Sequence, residues 1–272
     1  MKLCQIEYQG QRCLARKGAS GLELLGGLSG MLEAIERPER LKSAPVLTRL
    51  AERDARFLPV VTRPGKVLCV GINYKKHIEE TGDKLPAEPV LFSKFSTALA
   101  AHEQTVFIPE CAHKVDYEAE LVIVIGRGGR RLTREQAQGA IFGYTCGNDL
   151  SARDLQFVSG QWLLGKTPDG FAPVGPWVAT ADEYSTENRQ IRSYVNGELR
   201  QCGNTDQMIF DCAEIVRYAS RTMTLEPGDL IFTGTPDGVV LGYPPEKQVW
   251  LKAGDLVEVE IDGIGRLANR MG

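Results

Sequence analysis

The segment Tyr117-Glu118-Ala119-Glu120-Leu121-Val122-Ile123-Val124-Ile125 constrains the fold of this chain more than any other. Side chains alternate along a strand, so Val122 and Val124 face one way while Ala119, Leu121, Ile123 and Ile125 face the other. A strand that is apolar on both faces must be covered on both, which places it inside a layered sheet. The same alternation sets Glu118 and Glu120 on one face, a single pleat apart. Two like charges entering such an interior would repel and lose hydration unless a cation compensates them. The plainer reading is a strand end at which both carboxylates still reach water. The segment alone does not separate the two.

The rest of the composition is that of an ordinary soluble globular protein. The chain has 272 residues, 43% hydrophobic and 25% charged, enough for one large core or a large domain with a small partner. A net charge of -3 leaves no electrostatic footprint for nucleic acid or an anionic membrane. No apolar run reaches the roughly 20 residues of a membrane span. Met1-Lys2-Leu3-Cys4-Gln5-Ile6-Glu7 places polar residues where a signal peptide needs its apolar core, so a cytoplasmic location is expected. The seven cysteines are odd in number and form no C-x-x-C pair, which points to reduced thiols rather than a disulfide framework. With only His77, His102 and His113 available, a metal here would be held mainly by oxygen.

Local signals divide the chain at about residues 62–66. Lys2 to Ala15 reads as a hairpin turning at Gln9-Gly10, and Leu22 to Leu50 as a leucine-rich helical stretch broken by Gly26-Gly27, Pro38 and Pro45. Leu58 to Gly65 is a proline-flanked linker. Residues 1–62 are therefore expected to form a small N-terminal domain and residues 66–272 the main one. In the latter, Lys66 to Gly71 and Ala140 to Cys146 read as strands. The two segments Leu225 to Leu230 and Leu251 to Leu256 share a G-D turn that launches a strand, and Asp262-Gly263 marks a hairpin. Helices are expected over Tyr74 to Glu80, Arg134 to Gly139, Ser151 to Val158 and Met208 to Ser220. Strands with occasional helices and no regular alternation argue for a predominantly β, α+β fold.

Two motifs mislead. Gly160-Gln161-Trp162-Leu163-Leu164-Gly165-Lys166-Thr167 matches the phosphate-loop pattern G-x-x-x-x-G-K-T. Its interior is Trp-Leu-Leu, and Pro168, Gly170, Pro173, Gly175 and Pro176 follow, where a helix would have to present its N-terminus to the anion. Ile125-Gly126-Arg127-Gly128-Gly129-Arg130-Arg131 follows a strand but carries an arginine where a dinucleotide fingerprint needs its third glycine.

Asp149, between the Ala140 to Cys146 strand and the following helix, is either a helix-entry residue or a third hard-oxygen ligand beside Glu118 and Glu120. Three carboxylates without thiolate or histidine suit Mg²⁺ or Mn²⁺. Arg153, one helical turn on, could reach an anionic substrate or simply pair with Asp149 or Asp154. His77 and Glu80, three apart on a helix, share a face, and a carboxylate beside an imidazole raises its basicity and fixes its orientation. Thr81 to Pro89 is polar, with glycine and prolines, and suits a mobile flap.

Gly71-Ile72-Asn73-Tyr74, His77, Glu80, Asp116 to Leu121, Asn148 to Asp154, Gly165-Lys166 and Thr233 to Val239 together resemble the fumarylacetoacetate hydrolase family over residues 66–272. The resemblance implies a mixed β-sheet roll, usually dimeric, with Mg²⁺ or Mn²⁺ on Glu118, Glu120 and Asp149. It implies a water-activating dyad of His77 and Glu80, a catalytic Lys166, and substrate contacts at Arg153, Gln156 and Thr235. The expected substrate is a small 2-oxo acid, with cleavage of the C3–C4 bond of an acylpyruvate leaving a pyruvate enolate. Oxaloacetate decarboxylation, isomerisation and dehydration of 2-oxo acids would use the same metal and enolate, and the sequence does not separate them. A nucleotide-binding protein or a catalytically silent scaffold are the readings from other classes.

Overall fold

A computed structural model describes residues 1–82 and 84–272. The strand Ala119–Ile125 is buried along its whole length and lies inside a twelve-stranded sheet. Ile141–Asn148 pairs antiparallel on one side of it and Leu230–Phe232 on the other. Leu230–Phe232 runs parallel to Val67–Gly71, which pairs in turn with Val90–Lys94. Mixed pairing of this kind, with helices at the margins, gives the β-dominated α+β architecture expected. The two faces of the central strand feed separate cores. Ala119, Leu121, Ile123 and Ile125 pack with Ile215, Val216 and Ala219 of the helix Cys212–Ser220. Val122 and Val124 pack with Val67, Cys69, Leu230 and Phe232. The apolar alternation at Val122–Ile125 thus reflects burial on both sides.

The N-terminal strands continue the same sheet. Lys2–Tyr8 pairs with Gln11–Gly18 through a turn in which Gln9 and Gly10 both take positive φ, and with Ala172–Thr180 on its other edge. Leu22 to Leu50 is not mainly helical. Gly21–Leu25 and Val46–Leu50 pair as antiparallel strands, and between them lie two six-residue helices, Met31–Glu36 and Pro38–Ser43. Leu22, Leu24 and Leu25 are buried by cross-strand packing, so tertiary pairing overrides their helical propensity.

A second, four-stranded antiparallel sheet runs Glu198–Asn204, Gln190–Val195, Leu256–Ile261, Gly265–Arg270. Both G-D turns use one device: Asp229 Oδ2 accepts from the amide of Glu226 at 2.8 Å, and Asp255 Oδ2 from that of Lys252 at 2.9 Å. Two expected helices are shorter. Asp211 caps Cys212–Ser220 by accepting from the amide of Glu214, so Met208 to Phe210 stay outside it. Ser151–Ala152 forms a short strand with Val115–Asp116, leaving only Arg153–Gln156 helical.

Candidate active site

The loops at one end of the central strands converge on a cavity of about 390 Å³. His77, Glu80, Glu118, Glu120, Asp149, Arg153, Gln156, Lys166 and Thr235 all line it, so every site residue expected from the sequence is brought to one place. Glu120 lies on Ala119–Ile125, opposite Gly147, and Glu118 just precedes that strand. The amide of Asp149 donates to the carbonyl of Glu118 at 2.9 Å, tying the third carboxylate to the first two. One ligand atom from each of Glu118, Glu120 and Asp149 lies within 4.8 Å of the others, and all three residues are buried.

Buried carboxylates at this spacing need positive charge. Lys166 Nζ donates to Glu118 Oε2 at 2.7 Å and to Asp149 Oδ2 at 2.8 Å. Arg153 donates through Nη2 to Glu118 Oε1 at 2.6 Å and through Nε to Asp116 Oδ2 at 2.9 Å, and its Nη1 holds Gln156 Oε1 at 3.0 Å. Lys94 Nζ lies 2.6 Å from Asp149 Oδ1 and donates to the carbonyls of Leu150 and Phe171. Four buried carboxylates, counting Asp116, thus face three buried cations. The surplus falls on Glu120, which has no ion pair among the described residues and accepts only from the amide of Gly234 at 2.7 Å. Burial, then the charges of Asp149 and Glu118, push its carboxyl well above the ordinary range. Glu118 is the opposite case: burial opposes ionisation, but Lys166 and Arg153 outweigh it and hold the carboxyl far down. Burial lowers Lys94, whereas at Lys166 the charges of Asp149 and Glu118 overcome burial and raise it.

This donor set fits a divalent metal: hard carboxylate oxygens, no thiolate, and one carboxyl, that of Glu120, with no cationic partner among the described residues. The three acidic residues therefore form a cluster able to hold such an ion.

Across the cavity, His77 and Glu80 sit on the helix Lys75–Thr81, which Gly82 ends in the left-handed region. His77 Nδ1 lies 3.4 Å from Glu80 Oε2, a long contact. Glu80 is anchored by the amide of Gly238, which reaches both its oxygens at 3.0 and 3.1 Å. A Cβ on Gly242 would lie 2.1 Å from Glu80 Cδ, so that glycine leaves the space the carboxylate fills. Asp116 holds the same loop from beneath, accepting from the amides of Val240 and Leu241. In the expected flap, Asp83 lies outside the described residues; at its far end, Glu88 accepts from Tyr218 Oη and Arg221.

Arg153 pairs with Asp116 and Glu118 rather than with Asp149 or Asp154; Asp154 instead accepts from the amides of His113 and Lys114. Thr235 Oγ1 donates to the carbonyl of Ala119 and accepts from Gln201 Nε2. Lys166 ends the four-residue helix Leu163–Lys166, so that helix precedes the lysine, and its ammonium faces carboxylates rather than a phosphate cradle. Lys94 was missed by sequence reasoning. The available signal was a lysine closing the largely apolar Val90-Leu91-Phe92-Ser93-Lys94 strand.

The family profile described as Fumarylacetoacetate (FAA) hydrolase C-terminal matches residues 66–272. An oxaloacetate tautomerase of Xenopus laevis, named as mitochondrial, is 43% identical over 224 residues, covering 81% of this chain and 69% of that protein. The solved fumarylacetoacetate hydrolase from psychrophilic Exiguobacterium antarcticum superposes with a TM-score of 0.88 at 37% identity, covering 100% of this chain and 99% of that one. A 2-hydroxyhepta-2,4-diene-1,7-dioate isomerase from Mycobacterium marinum superposes at 0.82 with 34% identity, covering 100% and 98%. Sequence profile, sequence relatives and fold agree: the chain belongs to the fumarylacetoacetate hydrolase family.

Proposed function

We propose that this protein is a divalent-metal-dependent enzyme that interconverts the enol and keto forms of a 2-oxo acid such as oxaloacetate. The observation that carries the reading is the placement of Lys166 Nζ, 2.7 and 2.8 Å from two of the three clustered carboxylates, at the floor of the cavity. Names of relatives such as the Xenopus laevis oxaloacetate tautomerase support it. Glu118, Glu120 and Asp149 would hold Mg²⁺ or Mn²⁺, which when bound supplies Lewis-acid stabilisation to the oxygens of a 2-oxo acid.

The chain's own residues do the rest. Tautomerisation breaks the enol O–H bond at C2 and forms a C–H bond at C3, while the C2=C3 double bond gives way to C2=O. Lys166 keeps its positive charge beside the C2 oxygen, where negative charge develops as the proton leaves. With Nδ1 turned to Glu80, His77 uses Nε2 to exchange the proton at C3. Gly238 holds Glu80, and so the imidazole, in place. Arg153 and Gln156 form the wall for the C1 carboxylate, beside Thr235.

Hydrolysis of an acylpyruvate to pyruvate and a carboxylic acid is the second reading, favoured by the His77–Glu80 dyad, which would then deprotonate water. One preparation, assayed with Mg²⁺ on enolic oxaloacetate and on an acylpyruvate, separates the two. Faster loss of the enol absorbance without pyruvate release from the acylpyruvate supports tautomerisation. Pyruvate release alone would favour hydrolysis, and no effect on either would refute both. A homodimer, as the family resemblance implies, would appear by light scattering at twice the 29.9 kDa chain mass. Among the described residues, no helix is long and apolar enough to cross a membrane. The seven free cysteines accord with a reducing compartment such as the cytoplasm.

A further inference from the structure

The cavity has two chemically different halves. Apart from the carboxylates, their cations and the polar His77, Gln156 and Thr235, the side chains of its wall are Val70, Ile72, Phe92, Phe157, Trp162 and Leu241. Trp162 and Phe92 form an edge-to-face pair, ring centroids 5.3 Å apart at 70°. Trp162 is seated against the end of the strand Val67–Gly71, where a Cβ on Gly71 would lie 2.7 Å from its Cζ3. Only a glycine at that position lets the indole approach the backbone so closely. Phe92 reaches the reacting end, with Lys166 Nζ 5.1 Å from its ring centroid. The aromatic surface therefore begins beside the ammonium assigned to the enolate and leads toward Phe157, which is 54% exposed.

Charge is distributed just as unevenly. The lysine and arginine that line the cavity, Lys166 and Arg153, are already ion-paired with Glu118, Asp149 and Asp116 at the carboxylate end. A second carboxylate laid along the aromatic half would lose hydration with no cation to replace it, the indole N–H of Trp162 being the one donor those rings carry. A flat uncharged group there would bury apolar surface and stack on the Phe92–Trp162 pair.

Resting on the enolate reading above, we infer that Phe92 and Trp162 form a distal subsite that selects 2-oxo acids bearing a flat, uncharged substituent, such as an aryl group, next to the enolisable carbon. Trp162 is then a specificity-determining residue. It acts on the substituent, while Lys166 and the carboxylates act on the 2-oxo acid head common to all substrates.

The test compares enolic phenylpyruvate with enolic oxaloacetate on the wild-type protein and on Trp162→Ala, with Mg²⁺ present. Trp162→Ala is expected to lower kcat/KM for phenylpyruvate about 10-fold more than for oxaloacetate, the scale of a lost apolar pocket contact. Equal losses on the two substrates would overturn the subsite. Calorimetric binding of both compounds to the wild-type protein gives a second measure that needs neither a variant nor turnover. Phenylpyruvate is expected to bind at least as tightly as oxaloacetate despite carrying one carboxylate fewer, and clearly weaker binding would overturn the subsite. Turnover of oxaloacetate with no preference for the aryl compound would leave the enolate chemistry standing while removing the aromatic subsite. Tight phenylpyruvate binding without turnover of either compound would keep the subsite and refute the reaction.

Discussion

Replacing Lys94 by methionine tests the electrostatic account of the cluster at a residue that does not line the cavity. Lys94 is 2% exposed, and its Nζ lies 2.6 Å from Asp149 Oδ1 and 2.9 and 2.6 Å from the carbonyls of Leu150 and Phe171. Methionine keeps much of the volume and removes the charge and every donor. Asp149 then retains Lys166 as its one ammonium partner, and two carbonyls lose a donor. Removing one member of a buried ion pair costs about 3–5 kcal/mol, because the remaining charge is left without compensation. For a domain of this size each kcal/mol moves the melting temperature by about 2–4 °C, so Lys94→Met should melt roughly 6–20 °C lower in chelator. A divalent cation on Glu118, Glu120 and Asp149 would replace part of the lost positive charge. The deficit should therefore shrink when saturating Mg²⁺ is added, beyond the stabilisation Mg²⁺ gives the wild type. Differential scanning calorimetry in chelator and in Mg²⁺ reads both quantities. A melting temperature within about 2 °C of wild type in chelator would show that Lys94 does not balance Asp149. A deficit that Mg²⁺ leaves unchanged would show that the ion, if bound, does not share that charge.

Three further outcomes are expected. Glu120 carries a proton below its raised pKa, so a metal binding there must displace it; affinity should fall about tenfold per pH unit below that pKa and level off above it, with proton release visible by calorimetry in buffers of different ionisation enthalpy. Affinity independent of pH would remove Glu120 from the ligand set. His77→Ala should cost proton transfer about 10² to 10⁴-fold while leaving metal affinity nearly unchanged, and a parallel loss of metal would assign His77 a different role. Gly242→Ala drives a methyl group into the space of the Glu80 carboxylate, so it should lower kcat in the same direction as His77→Ala with the metal retained; full activity would show that Glu80 need not hold its position.

The clustered carboxylates were legible because strand alternation is a local rule. Glu118 and Glu120 fall on one face of an apolar segment whatever surrounds it, and the paired Gly-Asp turns and the Gln9-Gly10 hairpin are equally local. What stayed hidden depends on residues far apart in the chain. Lys94 meets Asp149 from far away in the chain, and Arg153 finds Asp116 rather than its near neighbours, because a short strand pairing sets Ser151–Ala152 against Val115–Asp116. Leu22 to Leu25 lost its helical reading for the same reason, since cross-strand contacts with Val46–Leu50 bury those leucines. The Gly160 to Thr167 match failed because a sequence pattern fixes residue types and leaves the direction of the flanking helix open.

In the proposed reaction this cluster of carboxylates, with Lys166 beside it, would generate an enolate from a 2-oxo acid. Deuterium exchange at C3 of oxaloacetate in D₂O, followed by NMR, detects that enolate directly, whichever product it later yields. Such a reaction is expected to give exchange that needs Mg²⁺ or Mn²⁺, stops with chelator, and is lost in Lys166→Ala while the folded variant still binds the metal. Exchange that persists in Lys166→Ala at the wild-type rate, or that proceeds unchanged in chelator after verified metal loss, would contradict it.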